Sequence, residues 1–137
     1  MTIGTRAAEP EEMENASKVG LAVVTPIDIV EQGIHSVAEA ILSRVAEGGG
    51  GEDRRVYVSI DLDCVDPASA PGVSVPSPGG LATVDLLYLL TKVMGSTGVV
   101  GFDIVELSPD YDLNNMTAHL AARVMSECIS SLKLKRE

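Results

Sequence analysis

Ser59-Ile60-Asp61-Leu62-Asp63-Cys64-Val65-Asp66-Pro67 sets three carboxylates close together behind an apolar run. In an extended strand, side chains at i and i+2 share a face, so Asp61 and Asp63 are expected to project together. Two carboxylates held so close repel unless one takes a proton or a cation neutralises both. Hard divalent ions such as Mg²⁺ or Mn²⁺ favour oxygen ligands of this kind, and one carboxylate can bridge two of them. A pair of ions about 3.5–4 Å apart can turn bound water into a nucleophile. The same Asp-x-Asp serves equally as a loop cap facing solvent, and the pair alone does not decide between the two roles. Asp66, just before Pro67, is read as fixing a turn through its own backbone.

A second block, Gly101-Phe102-Asp103-Ile104-Val105-Glu106, also ends on an acid, 45 residues after Asp61. With one helix between them, a right-handed crossover brings both strand ends to one sheet edge, where Asp61, Asp63 and Glu106 are expected to converge. Asp103 has the opposite parity to Glu106 and is read as structural. Cys64 has no His or Asn partner nearby for a thiolate and is read as a small packing residue. His35 and His119 both fall in helical stretches and are read as surface or packing residues. Met94, Met116 and Met125 take core or end positions on helices.

The elements that must position these acids follow from the hydrophobic pattern. Pro10, among Glu9, Glu11, Glu12 and Glu14, opens a short helix running to Lys18. Leu21–Val24 reads as a buried strand stopped by Thr25-Pro26. Ile34, Val37, Ala38, Ile41, Leu42 and Val45 keep helical spacing over 33–46. A Gly-rich connector at 48–52 breaks that helix and lacks the Lys and Ser/Thr pattern of a phosphate-binding loop. Val56–Asp61 is a second strand, and the Pro/Gly-rich loop 61–81 carries the candidate site. A helix over 83–94, with Val84, Leu87, Tyr88 and Leu90, precedes a third strand over 98–105. A last helix over 116–132 carries Leu120, Val124 and Ile129. Alternating strands and helices imply crossover connections, hence an α/β fold with a parallel sheet covered by helices.

Composition narrows the function classes. The chain has 137 residues, 45% of them apolar, which fits one domain or part of one with a real core. Its net charge of −10 and the scarcity of aromatic residues argue against nucleic-acid binding. No apolar run approaches the roughly 20 residues of a membrane span, and the start of the chain has no secretory pattern. Cys64 and Cys128 form no disulfide framework or metal knuckle, so a reducing cytoplasm is the expected location.

Taken together, the two acidic blocks, with Ala70-Pro71-Gly72, Pro76, Gly79-Gly80-Leu81 and Leu107-Ser108-Pro109, resemble the ureohydrolase family of arginases, agmatinases and formimidoylglutamases. The likeness runs from about Ile3-Gly4 to Ile129. It implies a three-layer α/β/α fold, present here as the C-terminal portion of the domain across 1–137. It also implies a dinuclear manganese site for hydrolysis of a C–N bond in a guanidino or formimino substrate. By resemblance, Asp61 is similar to the carboxylate bridging both metals and Asp63 to a ligand of one of them. Glu106 is similar to the acid that pairs with the cationic amidine head, whose planar donor fork suits a carboxylate.

Two departures bear on function. The family's Gly-Gly-Asp-His and Asp-x-His-x-Asp motifs do not occur here, nor does its proton-shuttling His, so this portion holds no catalytic residue beyond the metal ligands. The isolated chain is therefore expected to bind metal weakly and to lack activity. In addition, Val73-Ser74-Val75 stands where arginases and agmatinases show Thr-Gly-Thr, and looks more like formimidoylglutamases. Pro109-Asp110-Tyr111-Asp112 and Thr117-Ala118 are similar to agmatinases. An agmatinase-like amidinohydrolase leads, with a formimidoylglutamase-like enzyme and a non-catalytic interaction module as alternatives. An Asp-x-Asp phosphotransferase ranks last, since the necessary Thr/Ser and Lys set is not evident. Expected partners are a small guanidino or formimino substrate, and either copies of the chain or a complementary N-terminal half.

Overall fold

The computed structural model describes residues 1–47 and 55–132. The Gly-rich connector expected at 48–52 lies outside them. Two short strands, β1 (Thr2–Ile3) and β2 (Val23–Val24), pair in parallel. Between them runs α1 (Pro10–Lys18), with Pro10 in its first turn and the Glu12 carboxylate accepting the Glu9 N–H at 2.8 Å. The strand expected over 21–24 is shorter than its apolar run. The Leu21 N–H still donates to Ala16 O behind the left-handed Gly20, and Leu21 stays exposed.

Thr25-Pro26 does not merely stop β2 but starts a helix, α2 (Pro26–Gln32). Thr25 Oγ1 accepts the Asp28 N–H at 3.2 Å and the Asp28 carboxylate accepts the Thr25 N–H at 2.7 Å. This reciprocal box satisfies two donors at the helix start, where a proline needs no hydrogen bond of its own. Gly33, at φ +82°, separates α2 from α3 (Ile34–Glu47), which buries Val37, Ala38 and Ile41 as its spacing implies.

β3 (Val56–Asp61) and β4 (Val99–Val105) are parallel neighbours, with Ile60 opposite Ile104 and Asp61 opposite Val105. The crossover between them contains α4 (Thr83–Ser96), and β4 leads on to α5 (Met116–Ser131). Ile60 from β3, Leu86, Leu90 and Met94 from α4, and Leu120, Val124 and Cys128 from α5 form one core. A second core joins Ile29, Val37, Ala38 and Ile41 to Leu81 and Leu89. The buried stripes differ in detail from the sequence pattern. Val84 and Ile129 are 70% and 60% exposed, while Leu86, Leu89 and Cys128 point inward. The fold is a partial α/β domain, and its described strands form two separate two-stranded parallel sheets rather than one continuous sheet.

Candidate functional site

β3 ends at Asp61, and the chain turns at once into a 3-10 turn, Leu62–Cys64. Leu62 is wholly buried and pins the turn beneath it. Asp61 caps the turn by accepting the Asp63 N–H on Oδ1 at 3.0 Å. The two acids are therefore brought together by a capped turn, not by the strand alternation expected from sequence. A short polar side chain at the end of a strand competes for the next amides and bends the chain there.

The loop beyond is tied down at several points. Val65 bridges Leu81 in parallel, the Asp66 N–H donates to Leu81 O at 3.0 Å, and the Leu81 N–H donates to Cys64 O at 2.9 Å. The Asp66 carboxylate accepts the Ala68 and Gly79 N–H groups at 2.9 and 2.8 Å, the turn-fixing role expected of it. These bonds hold its pKa below the ordinary carboxylate value. Gly80 passes so close to Val65 that a Cβ would lie 2.5 Å from the Val65 carbonyl carbon. Farther along, the Gly72 N–H donates to the buried Thr117 Oγ1 at 2.7 Å, and Gly72 O accepts the Ser108 N–H at 2.8 Å.

Asp61 and Asp63 line a cleft of about 300 Å³ together with Thr5, Arg6, Glu12 and Val75. Arg6 Nη2 donates to the Asp63 carbonyl oxygen, and Arg6 Nε is buried without a hydrogen-bond partner. The Asp63 carboxyl is pushed above its usual range, first by burial and next by the Asp61 charge, against the pull of Arg6. Burial and the same two carboxylates push the Cys64 thiol up to about 12, so it stays protonated, in keeping with a packing role.

Glu106 leaves β4 in the left-handed region at φ +63°, and its exposed carboxylate accepts a hydrogen bond from Ser74 Oγ. It is close enough for its charge to raise the Asp63 pKa, yet it is not among the residues lining the cleft. Among the described residues no group of three or more His, Cys, Asp or Glu side chains is arranged to hold a metal ion. The expected convergence of three acids is thus a close pair, Asp61 and Asp63, with Glu106 beside it.

Asp103 is structural, accepting from Ser59 Oγ at 2.6 Å and Tyr57 Oη at 2.9 Å. His35 Nδ1 pairs with Tyr88 Oη at 2.6 Å and His119 is exposed on α5, so neither reaches the cleft. The sequence singles out neither Arg6 nor, beyond its place in the acidic start of a helix, Glu12, and both line the cleft. No sequence signal marks Arg6, which reaches the turn because β1, two residues long, and Gly4 place it there. Gly4 has φ +85°, and a Cβ there would sit 3.1 Å from Cys64 Cβ. That contact lays the following residues against the Asp61–Asp63 turn.

Residues 1–130 match the arginase family. The chain belongs to that family. It is 39% identical over 121 residues to the proclavaminate amidinohydrolase of Streptomyces clavuligerus, covering 88% of this chain and 36% of that protein. An agmatinase of Chromobacterium violaceum is 39% identical over 84 residues, 61% of this chain and 26% of the relative. The crystal structure of the Bacillus subtilis formimidoylglutamase superposes with a TM-score of 0.88 at 28% identity, covering 98% of this chain and 41% of that one. This arginase-family chain therefore spans about a third of the length of the curated relatives it matches, and its α/β architecture is theirs.

Proposed function

We propose that the chain is the C-terminal portion of a manganese-dependent hydrolase that cleaves linear C–N amidine bonds, in the manner its agmatinase relative's name implies. The observation that carries this reading is the Asp61–Asp63 pair on the cleft, two hard oxygen donors whose mutual repulsion calls for a cation. The donor set fits manganese as part of a shell: Asp61 and Asp63 would hold it, and further ligands would have to come from outside the described residues. When bound, such an ion supplies Lewis-acid activation of water and of the amidine carbon.

The chain's own residues do the rest of the work assigned here. Arg6 holds the Asp63 carbonyl and so fixes the turn on which both acids ride. Glu106, oriented by Ser74 Oγ, offers a carboxylate to the planar donor fork of an amidinium. Val75 gives the cleft an apolar patch where a hydroxyl would otherwise face the substrate head. That patch favours a formimino substrate as the second reading, hydrolysed as by formimidoylglutamase. No described helix is long and apolar enough to cross a membrane, and the free thiols of Cys64 and Cys128 suit a reducing cytoplasm.

The test uses the purified 137-residue chain with Mn²⁺. Calorimetry is expected to show weak binding that Asp61→Asn and Asp63→Asn each reduce at least about tenfold. Release of urea, ammonia or formamide is expected to be absent. Strong turnover by the isolated chain would overturn the assignment of an incomplete site. Mn²⁺ binding that ignores both substitutions would overturn the metal reading and leave a non-catalytic interaction module.

A further inference from the structure

The 3-10 turn that carries Asp63 has three carbonyls, and each is taken. Leu62 O accepts the Val65 N–H at 3.2 Å, and Cys64 O accepts the Leu81 N–H at 2.9 Å. Both of those donors belong to the same loop. Asp63 O, between them, is taken instead by a side chain 57 residues away, through Arg6 Nη2. The Asp63 N–H is engaged as well, on Asp61 Oδ1 at 3.0 Å. Both main-chain groups of Asp63 are thus pinned, and its carboxylate is the hard oxygen donor left for a cation in the cleft.

The segment before Arg6 aims it at that carbonyl. Gly4, at φ +85°, bends the chain out of β1 and lies against the turn, where a Cβ would stand 3.1 Å from both Cys64 Cβ and Leu81 Cδ1. The Thr2 and Thr5 hydroxyls meet at 2.7 Å across the bend, and the Gly4 N–H donates to Val24 O at 2.8 Å. Arg6 lines the cleft with Asp61 and Asp63, yet among the described residues it makes no ion pair with either carboxylate or with Glu12. A guanidinium placed to neutralise acids turns its planar fork to a carboxylate. This one turns to the main chain, and its Nε stays buried with no partner.

Two effects of Arg6 on a cation in the cleft therefore oppose each other. Its charge repels the ion, across a half-buried rim where water screens the repulsion. Its hydrogen bond holds the peptide that sets where the Asp63 carboxylate stands. Loss of a residue that orients a metal ligand typically costs about 10–100-fold in affinity, which outweighs a screened repulsion.

We infer that Arg6 is a positioning residue of the cleft: by holding the Asp63 carbonyl, it raises the affinity for a divalent cation whose charge it opposes. Without Arg6, the Asp63 carbonyl is a second hard oxygen on the same residue, free to turn into the cleft in place of the carboxylate. This role rests on the metal reading of Asp61 and Asp63, and Arg6 acts through Asp63 alone.

The experiment titrates the purified 137-residue chain with Mn²⁺ and follows the free-ion signal by electron paramagnetic resonance, which reads weak binding. Arg6→Met and Arg6→Gln remove the charge and fall short of the Asp63 carbonyl, whereas Arg6→Lys keeps a cationic donor. The neutral variants are expected to bind Mn²⁺ about tenfold more weakly, and the lysine variant to stay within about threefold of the native chain. Exchange of the Asp63 amide is expected to quicken in the neutral variants and to be restored by lysine. The Leu90 amide, in the core, is expected to keep its native rate in all of them, which separates positioning from general loosening. The native chain supplies a measurement that needs no variant. With diamagnetic Mg²⁺ bound, the Arg6 Nε–H resonance is expected to remain as slow to exchange as in the metal-free chain.

Neutral variants that bind Mn²⁺ as tightly as the native chain, or more tightly, would overturn the inference, and tighter binding would make Arg6 a competing cation. Release of the Arg6 guanidinium as Mg²⁺ enters would overturn it too, even if no neutral variant folds. Asp61→Asn and Asp63→Asn run alongside. Weakened binding in those two with unchanged binding in the Arg6 variants leaves the metal reading standing and removes the role of Arg6. Binding indifferent to both Asp substitutions removes the metal reading, and the Asp63 amide then decides alone whether Arg6 positions the turn.

Discussion

Thr117→Val removes the bond that fastens the candidate-site loop to α5, together with the bond from the same hydroxyl to the Asp112 carboxylate. Thr117 is fully buried, and its Oγ1 accepts the Gly72 N–H at 2.7 Å. Valine keeps the shape and removes the acceptor, leaving a buried amide with no partner. The cost of such an orphan is about 1–3 kcal/mol. For a chain of this size that corresponds to a fall in Tm of about 3–15 °C. Thr117→Ser keeps the hydroxyl and deletes one methyl, for a transfer loss of about 0.8 kcal/mol. Urea unfolding followed by circular dichroism gives both values, provided the slope with denaturant is unchanged. Exchange of the Gly72 amide supplies the local readout, and is expected to quicken in the valine variant alone. A serine variant less stable than the valine variant would refute the reasoning, because packing of the methyl, not the hydrogen bond, would then be what Thr117 contributes.

Three further outcomes follow from the same geometry. Gly80→Ala places a Cβ 2.5 Å from the Val65 carbonyl carbon and is expected to abolish soluble folded chain, measured by yield and circular dichroism. Ser74→Ala frees Glu106 from its hydroxyl partner, and in a hydrolytically active full-length relative carrying the same Ser–Glu pair is expected to raise KM for an amidine more than it lowers kcat; an unchanged KM would count against the substrate role of Glu106. Burial and then the Glu127 charge push the Cys128 thiol up to about 11, from 9.0. The folded state thus favours the neutral thiol, the unfolded chain ionises first, and stability is expected to fall as pH rises from about 9 to about 11. Urea midpoints at pH 8 and pH 10, with Cys128→Ala losing part of the difference, check the sign.

The fold was readable where a long element repeats its pattern and unreadable where a short one depends on a single contact. α3, α4, α5, β3 and β4 announced themselves by apolar period, although the exact inward stripe of α4 and α5 moved once partners were in place, turning Val84 and Ile129 outward. The parallel β3–β4 adjacency followed from one crossover helix. β1 has two residues, too few for any period to show, and exists because Thr2 and Gly4 find carbonyls on β2. α2 is hidden because Pro26, like Pro10, opens a helix, while in sequence the same proline reads equally as the end of the apolar run before it. The deciding residue in each case is the acid at the third helical position, Glu12 or Asp28, which reaches back to the amide preceding the proline.

The candidate site shows the same division at closer range. Asp61, Asp63 and Glu106 could be named because acids after an apolar strand are chemically conspicuous, but the way they meet could not. Strand alternation would have aimed Asp61 and Asp63 along one face of a continuing β3. Instead Asp61 spends one oxygen on the Asp63 amide, the strand stops, and the buried Leu62 anchors a turn that carries Asp63 beneath Arg6. Arg6 is 57 residues away in sequence, so only the folded chain shows that the backbone carbonyl of Asp63, the second potential ligand, is held by a cation from just beyond β1. That single guanidinium lowers the Asp63 pKa less than burial and Asp61 raise it, which leaves the pair short of positive charge. A site built to be neutral on its own would have matched the charges. The cleft thus has room for one more positive charge beside Asp61 and Asp63, which is what the proposed metal ion would supply.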